Sequence, residues 1–426
     1  MRNFHLILVL AVTTAGLAAC GEDPIPDGFS EAEWRVIASL SRPTTLPPDF
    51  TNPFAENAEA AVLGQQLFFD RGLANWGDGG VSAPARPVVS PDGGLAEVAC
   101  SDCHDPHAYF SDPRPQRTTS QGVRWTGRNS PGLVDTALYS NWSLDGRGET
   151  LSNQAIIAYA APATMAGTEL SLARALLARY ADRYQRVFVL PVPPQMADPF
   201  AGYENPNEMQ RIQLQAVMRN AAWAWGAYLR RLQSGTSPFD AYARGEVGAL
   251  TPAQKRGLKL FLGKAGCIEC HNGPNFSDSA SGRFHNLGLR QTGPSMEDSG
   301  RYKALTELRQ SPFAYQINPP PVATEADVGA FRTRSLRNVA QTAPYFHAGQ
   351  YETLRDVIWF YNRGGDRSGV GTPSRFMVPL GLTEDDAADL EAFLHSLTGA
   401  LPLTGLLCDN SRLPGNEYLC PIMGAP

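Results

Sequence analysis

Cys100-Ser101-Asp102-Cys103-His104 and Cys267-Ile268-Glu269-Cys270-His271 decide how this chain is read. Both are Cys-x-x-Cys-His, the attachment pattern of a c-type haem. The two thiols form thioethers with the haem vinyl groups, and attachment delivers the adjacent imidazole to the iron. A zinc site or a redox dithiol would be the competing readings. Two copies in one chain that opens on an export leader make both poor. Two covalently bound c-type haems are therefore expected, held by Cys100, Cys103, Cys267 and Cys270, with His104 and His271 as proximal ligands.

Similar text precedes each motif: Leu63-Gly-Gln-Gln-Leu-Phe-Phe69 ahead of the first, Gly257-Leu-Lys-Leu-Phe-Leu262 ahead of the second. Each reads as an amphipathic helix packed on its haem. The second is well marked, with Thr251 as N-cap, Pro252 at the first helical position and Gln254 closing a capping box. An internal duplication of a cytochrome c-like unit follows. Between the units, helical periodicity runs from about Glu169 to Phe188 and from about Met209 to Leu232, with a proline-rich loop from Leu190 to Asn207. Further on, Thr353 caps a helix in which Leu354, Val357, Ile358 and Tyr361 share one face, and Gly364 ends it. Thr383 caps a last helix carrying Leu390, Phe393, Leu394 and Leu397. Strand patterns are few. The expected fold is mainly α, two cytochrome c-like haem domains in tandem with long loops: an N-terminal haem domain over 53–240 and a C-terminal one over 241–400, parted within Gly235 to Leu250.

Met1 to Ala19 reads as an export signal, with Arg2 and then the apolar Leu6 to Val12, too short to span a bilayer. Leu17-Ala-Ala-Cys20-Gly21 resembles the lipobox of a bacterial lipoprotein, which implies cleavage and lipidation at Cys20. Gly21 after the cysteine implies sorting to the outer membrane. A lipid-anchored periplasmic protein of a Gram-negative bacterium is expected, with 1–20 as signal, 21–52 as a tether rich in Pro and acidic residues, and 401–426 as a tail. Of seven cysteines, Cys408 and Cys420 remain, and an exported chain makes a disulfide their natural reading.

A chain of 426 residues exceeds one hydrophobic core, in keeping with two domains. The net charge of −6 argues against nucleic acid as partner. Beyond the leader no apolar run has transmembrane length, which excludes a multi-span membrane protein.

Three further stretches carry a family resemblance: Leu336-Arg-Asn-Val-Ala-Gln-Thr-Ala-Pro-Tyr-Phe-His347-Ala-Gly, Gly127-Arg-Asn-Ser-Pro131, and Asp145-Gly-Arg147 with Gln154. With the haem motifs they make residues 55 to 400 resemble the bacterial dihaem cytochrome c peroxidase and MauG group. The resemblance implies that the N-terminal haem meets hydrogen peroxide and the C-terminal haem relays electrons or shares oxidising equivalents. It also implies a calcium ion between them, on Asn129 and the main-chain oxygens of Thr342 and Pro344. Conventional peroxidases place a Met fourteen residues after the His of Pro-Tyr-Phe-His; MauG places a Tyr. Tyr361 stands at that spacing from His347, with Met377 as the alternative iron ligand. A phenolate donor stabilises oxidised iron, which favours MauG-like chemistry.

The chain also departs from the pattern. Thr164 stands where the family has its distal Glu, ten residues after Gln154, and a hydroxyl is no base near neutral pH. Leu144 holds the place of the inter-haem Trp, with Trp142 two residues earlier. Ala265 replaces the surface Trp that MauG uses for its partner. Between His107 and His271 there is no His to block the distal side of the first haem. The expected function is peroxide chemistry at the His104 haem, with Gln154, Thr164 and Trp142 as distal and relay candidates. An unidentified protein or small donor would be oxidised through the His271 haem. The alternatives are a conventional peroxidase fed by a small redox protein, and a non-catalytic electron carrier or sensor. His285 and His347 read as structural histidines near the haem motifs.

Overall fold

The computed structural model describes residues 26–74, 98–113, 119–198, 201–292, 297–307, 320–402 and 404–407. The expected lipobox at Cys20 and the Cys408–Cys420 pair lie outside them. The described chain is mainly helical, as expected, and no helix in it is long and apolar enough to cross a membrane.

Helices build two cores. α1 (Glu31–Leu40) and α2 (Ala58–Phe69) come first, followed by α3 (Leu151–Ala160), α4 (Glu169–Arg179), α5 (Ala181–Phe188) and α6 (Glu208–Leu229). α2 to α6 surround the first core, centred on Leu63, Leu67, Phe68, Phe110, Leu172 and Tyr228. α7 (Pro238–Ala243), α8 (Pro252–Leu262), α9 (Arg301–Thr306), α10 (Leu354–Asn362) and α11 (Glu384–His395) follow. The second core gathers Phe239, Phe261, Phe276 and Phe393, with edge-on or tilted ring contacts at 5.2–5.9 Å. Such contacts add to what area burial contributes. β1 (Phe284–Asn286) pairs antiparallel with β2 (Ala330–Arg332), Phe284 opposite Arg332.

The capping signals place helix starts as the sequence predicts. Thr251 and Gln254 close a capping box on α8, Thr353 accepts from Asp356 N–H on α10, and Thr383 caps α11.

Three expectations need correction. The stretch 21–52 is not a tether from Phe29 onward. Ser30 caps α1 in a full capping box, and Phe29, Ile37 and Leu40 are buried in the second core, not the first. Trp34 meets Tyr242 edge-on at 5.4 Å. Flanking prolines and acids masked one short apolar face. The first domain's expected end at 240 falls earlier, between Leu232 and Pro238, at the near edge of the Gly235 to Leu250 stretch. α7 belongs wholly to the second core, where Phe239 and Tyr242 are fully buried. The single helix expected over Glu169 to Phe188 breaks at Tyr180, whose φ/ψ of −131°/12° leaves the helical region. There the Arg179 Nε–H and the Tyr180 hydroxyl both donate to the buried carboxylate of Asp70, at 2.9 Å each. That shared anchor turns the chain.

A polar seam joins the two units. Arg128 donates from Nε and Nη2 to Asp298 (2.7 and 2.9 Å) and from Nη1 to Asp145 (2.6 Å). Burial opposes ionisation of Asp298, but the Arg128 guanidinium outweighs it and holds the carboxyl at about 2. The folded pKa lies below the unfolded one. The pair therefore stabilises above about pH 4, and that contribution, about 2 kcal/mol, is lost as pH falls through 2. We expect Asp298→Asn to lower the thermal midpoint at neutral pH and to flatten its dependence on pH between 4 and 2. An unchanged acid slope in the variant would show that the pair does not carry it.

Candidate haem sites

Each haem motif folds into one 3-10 turn, Cys100–Asp102 and Cys267–Glu269, and the two turns are built alike. The His104 N–H donates to Cys100 O and the His271 N–H to Cys267 O, both at 2.9 Å. None of the four cysteines is in a disulfide. The likeness extends to both sides of the turns. In α2, a Cβ on Gly64 would lie 2.0 Å from Ala224 O of α6; in α8, a Cβ on Gly257 would lie 2.0 Å from Asp389 O of α11. Four residues on, Phe68 packs on Phe110 at 5.7 Å and Phe261 on Phe276 at 5.9 Å. Phe110 and Phe276 both take left-handed backbone, φ 58° and 48°. That turn aims each carbonyl at a histidine. Nδ1–H of His104 donates to Phe110 O (2.9 Å) and to Pro131 O (3.0 Å), and Nδ1–H of His271 to Phe276 O (2.9 Å). A carbonyl on Nδ1 fixes the tautomer that leaves Nε2 free to bind iron and raises its basicity. Burial holds both imidazoles below the usual histidine value, in the neutral form that ligates.

The second site opens into a cavity of about 270 Å³. Cys267, Cys270, His271, Tyr361 and Met377 line it, so both sixth-ligand candidates face the space beside the expected proximal histidine. Tyr361 sits on α10 as its periodicity predicts. Its hydroxyl makes no hydrogen bond among the described residues, so a tyrosine satisfied by backbone is not what the structure shows. Arg332 and Arg334 line the same cavity. Neither has a carboxylate partner among the described residues. Nη1 of Arg332 is buried without a partner, and burial depresses the Arg334 guanidinium to about 10. A buried and a half-buried cation, neither with a carboxylate among the described residues, fit the propionates of a haem. The donor set and these unpaired cations thus suit the group that the motif predicts.

His347 is buried, stacked on Phe331 at 4.2 Å, and burial lowers it to about 4. His285 is also buried, with Nε2 2.8 Å from Asp278 Oδ2. His107 and His395 are exposed.

Of the residues expected on the distal side of the first haem, Gln154 accepts through Oε1 from the Ser143 hydroxyl. The backbone of Trp142 pairs with Gly148, where an added Cβ would touch Gln154 Oε1 and Trp142 Cβ. Trp142 and Gln154 are thus neighbours. The same hairpin reaches the other unit: Asn141 Nδ2–H donates to Ser279 O (2.7 Å), Arg332 N–H to Leu144 O (2.8 Å), and Leu144 lines the second cavity. Thr164 is otherwise engaged. Its hydroxyl donates to Ala158 O and Ala161 O at the end of α3, so it holds a helix end and is not free for proton transfer. Met165, next in sequence, lies with Sδ 3.7 Å from Cys100 Sγ.

Asn129 is buried, and its N–H donates to His347 O at 2.8 Å. A Cβ on Gly132 would meet Thr342 Cγ2 at 3.2 Å. The loops carrying Asn129, Thr342 and Pro344 therefore touch.

Comparison with known proteins agrees with this geometry. The family model described as di-haem cytochrome c peroxidase matches residues 58–248. The cytochrome-c peroxidase IdrP1 of Pseudomonas sp. (strain SCT) is 32% identical over 88% of this chain and 88% of its own. The chain belongs to the di-haem cytochrome c peroxidase and MauG family. The methylamine utilization protein MauG of Methylorubrum extorquens is 30% identical over 91% of this chain and 90% of its own. Among solved structures, a MauG-like protein associated with microbial copper homeostasis has a TM-score of 0.61 at 25% identity, over 86% of this chain and 98% of that one. Membership makes this a protein of two c-type haems and an oxidoreductase of the peroxidase kind.

Sequence reasoning did not single out Arg332, Arg334, Phe110 or Phe276. A signal existed for the phenylalanines: Gly-x-x-Leu-Phe before each motif and a Phe six or five residues after its histidine. The arginines stand as Arg-Thr-Arg on and after β2, where nothing local marks them as haem partners.

Proposed function

We propose that this peroxidase-family chain takes hydrogen peroxide at the His104 haem and oxidises a protein or small donor through the His271 haem, in the MauG-like manner. Two electrons from the donor and two protons convert peroxide to two waters. The haems, when bound, supply the redox chemistry; the chain supplies ligands, access and proton positions. The observation that carries the MauG-like reading is Tyr361, in the His271 cavity with its hydroxyl unpartnered among the described residues. Gln154, its Oε1 engaged by Ser143, offers its amide NH2 to a distal ligand. Trp142 stands on the hairpin that links Gln154 to the second cavity, which supports a relay role. Calcium on Asn129, Thr342 and Pro344 belongs to the same proposal; oxygen donors from two touching loops suit that cation. So does export to the periplasm with a lipid on Cys20.

Optical and EPR spectra of the ferric protein, before and after stoichiometric peroxide, test the reading. One high-spin and one low-spin haem, with a spectral response to peroxide that outlasts mixing and needs no added donor, is the expected result. Two low-spin haems inert to peroxide would overturn it in favour of an electron carrier or sensor. Thr164 holds a helix end and supplies no carboxylate for the distal proton. We expect Thr164→Glu to speed peroxide consumption about tenfold, a part of what a positioned general acid–base contributes. Equal rates would remove Thr164 as the limiting difference.

A further inference from the structure

The two proximal loops differ in one respect. Apart from Gly273, whose left-handed φ costs a glycine nothing, the second turns through one left-handed residue, Phe276. The first turns through two in succession, Tyr109 at φ 53° and Phe110 at φ 58°. Consecutive aromatic residues in that region are strained and persist only where the surroundings over-determine them. What holds Tyr109 lies in the other unit. Its hydroxyl donates to Gly399 O at 2.7 Å, a buried bond across 290 residues of chain. The acceptor is itself fixed. Gly399 N–H donates to Asn338 Oδ1 at 3.0 Å, a Cβ on Gly399 would lie 2.1 Å from Gly235 O, and Gly235 N–H donates to Ala400 O at 2.9 Å. On the other side of Tyr109 comes Phe110 O, which accepts from His104 Nδ1–H. The second acceptor, Pro131 O, is also tied in, because Tyr109 O lies 3.0 Å from where a Cβ on Gly132 would stand. Tyr109, Pro131 and Gly132 all line the second haem cavity.

We propose that Tyr109 is a positioning residue that lets the C-terminal unit set the hydrogen bonding of His104, the proximal ligand of the N-terminal haem. The bond to Gly399 pins two strained residues. The pinned turn holds Phe110 O on Nδ1–H, and the strength of that bond sets the basicity of the ligand. His271 has no counterpart, since the residue before Phe276 is Asn275, not in left-handed backbone. Movement between the units would thus reach the first haem through its proximal side, separately from the Trp142 hairpin on the other path.

The test is Tyr109→Phe in the full-length, doubly haem-loaded protein. It keeps the ring and removes only the hydroxyl. The hyperfine-shifted Nδ1–H proton of His104 in the ferric protein is followed by NMR during exchange into D2O. The expected result is exchange about fivefold faster for His104, from loss of one hydrogen bond's worth of restraint, with His271 unchanged. The iron–histidine stretch of the N-terminal haem in the reduced protein should move to lower frequency, as a less basic ligand requires. Unchanged exchange and frequency in the loaded variant would overturn the proposal. So would equal changes at both histidines, which would mark general loosening. Gly399→Ala displaces the acceptor from the opposite unit and must reproduce the His104 effect. If Tyr109→Phe fails to load haem, that variant alone decides, and a normal His104 signal in it would sink the idea.

Discussion

Replacing Tyr361 with methionine raises the reduction potential of the C-terminal haem by on the order of 100 mV or more. Thr353 starts α10, and eight residues on from it the helix brings Tyr361 to the cavity that His271 lines. A phenolate is an anionic, hard donor and favours ferric iron; a thioether is neutral and soft and favours ferrous iron. Changing one for the other shifts the equilibrium toward the reduced state, and 60 mV is about a factor of ten for a one-electron couple. The change gives up ring contacts with Phe360 and Phe346, at 5.2 and 6.2 Å between ring centres, but the flexible methionine keeps apolar contact with both. Potentiometric titration of both haems checks it. The N-terminal couple should stay within a small fraction of that shift. Met377 supplies the contrast, since it lines the same cavity. If Met377 is the ligand, Tyr361→Met leaves the potential in place and Met377→Leu moves it.

Tyr361 illustrates what local sequence can show. Its face follows from helix period, its helix from a Thr cap, and the motifs at Cys100 and Cys267 from five adjacent residues. Such features lie within one or two turns of chain, where spacing alone fixes geometry. The seam was not legible for the opposite reason. Arg128 and Asp298 are 170 residues apart, and Tyr109 and Gly399 are 290 apart. No periodicity links them. α1 shows a third situation: its capping box was readable at Ser30 and Glu33, but its three-residue apolar face is too short to outweigh the prolines around it. That it docks on the second unit, not on the first that follows it in the chain, is a matter of tertiary packing alone. For Thr164, the sequence identified an absent carboxylate, and only the structure showed the hydroxyl turned onto α3.

Gly257→Val should destabilise the C-terminal unit by about 3 kcal/mol or more, near 10 °C in thermal midpoint, and disturb one haem while sparing the other. At that position even the first added carbon would stand 2.0 Å from Asp389 O and 2.7 Å from Phe393 Cβ. The nearest atoms are backbone, so no side chain can swing away, and α8 must withdraw from α11. Withdrawal carries Phe261 with it, because it stands one turn on along the same helix. Phe261 packs on both Phe276 and Phe393, and Phe276 O holds His271 Nδ1–H. A crossing fault thus reaches the proximal ligand in three contacts. Gly64→Val is the matched experiment in the other unit, through Ala224 O, Phe68, Phe110 and His104. Calorimetry with EPR of each haem distinguishes the two. Gly257→Val should perturb the His271 signal and Gly64→Val the His104 signal. The gain in helix propensity over glycine, below about 1 kcal/mol, is too small to offset the clash. If either variant kept its midpoint, the close crossing would not be what seats that haem motif. If both variants disturbed both haems alike, the two units would be melting as one, and the duplicated glycine–phenylalanine–histidine linkage would not be acting separately in each.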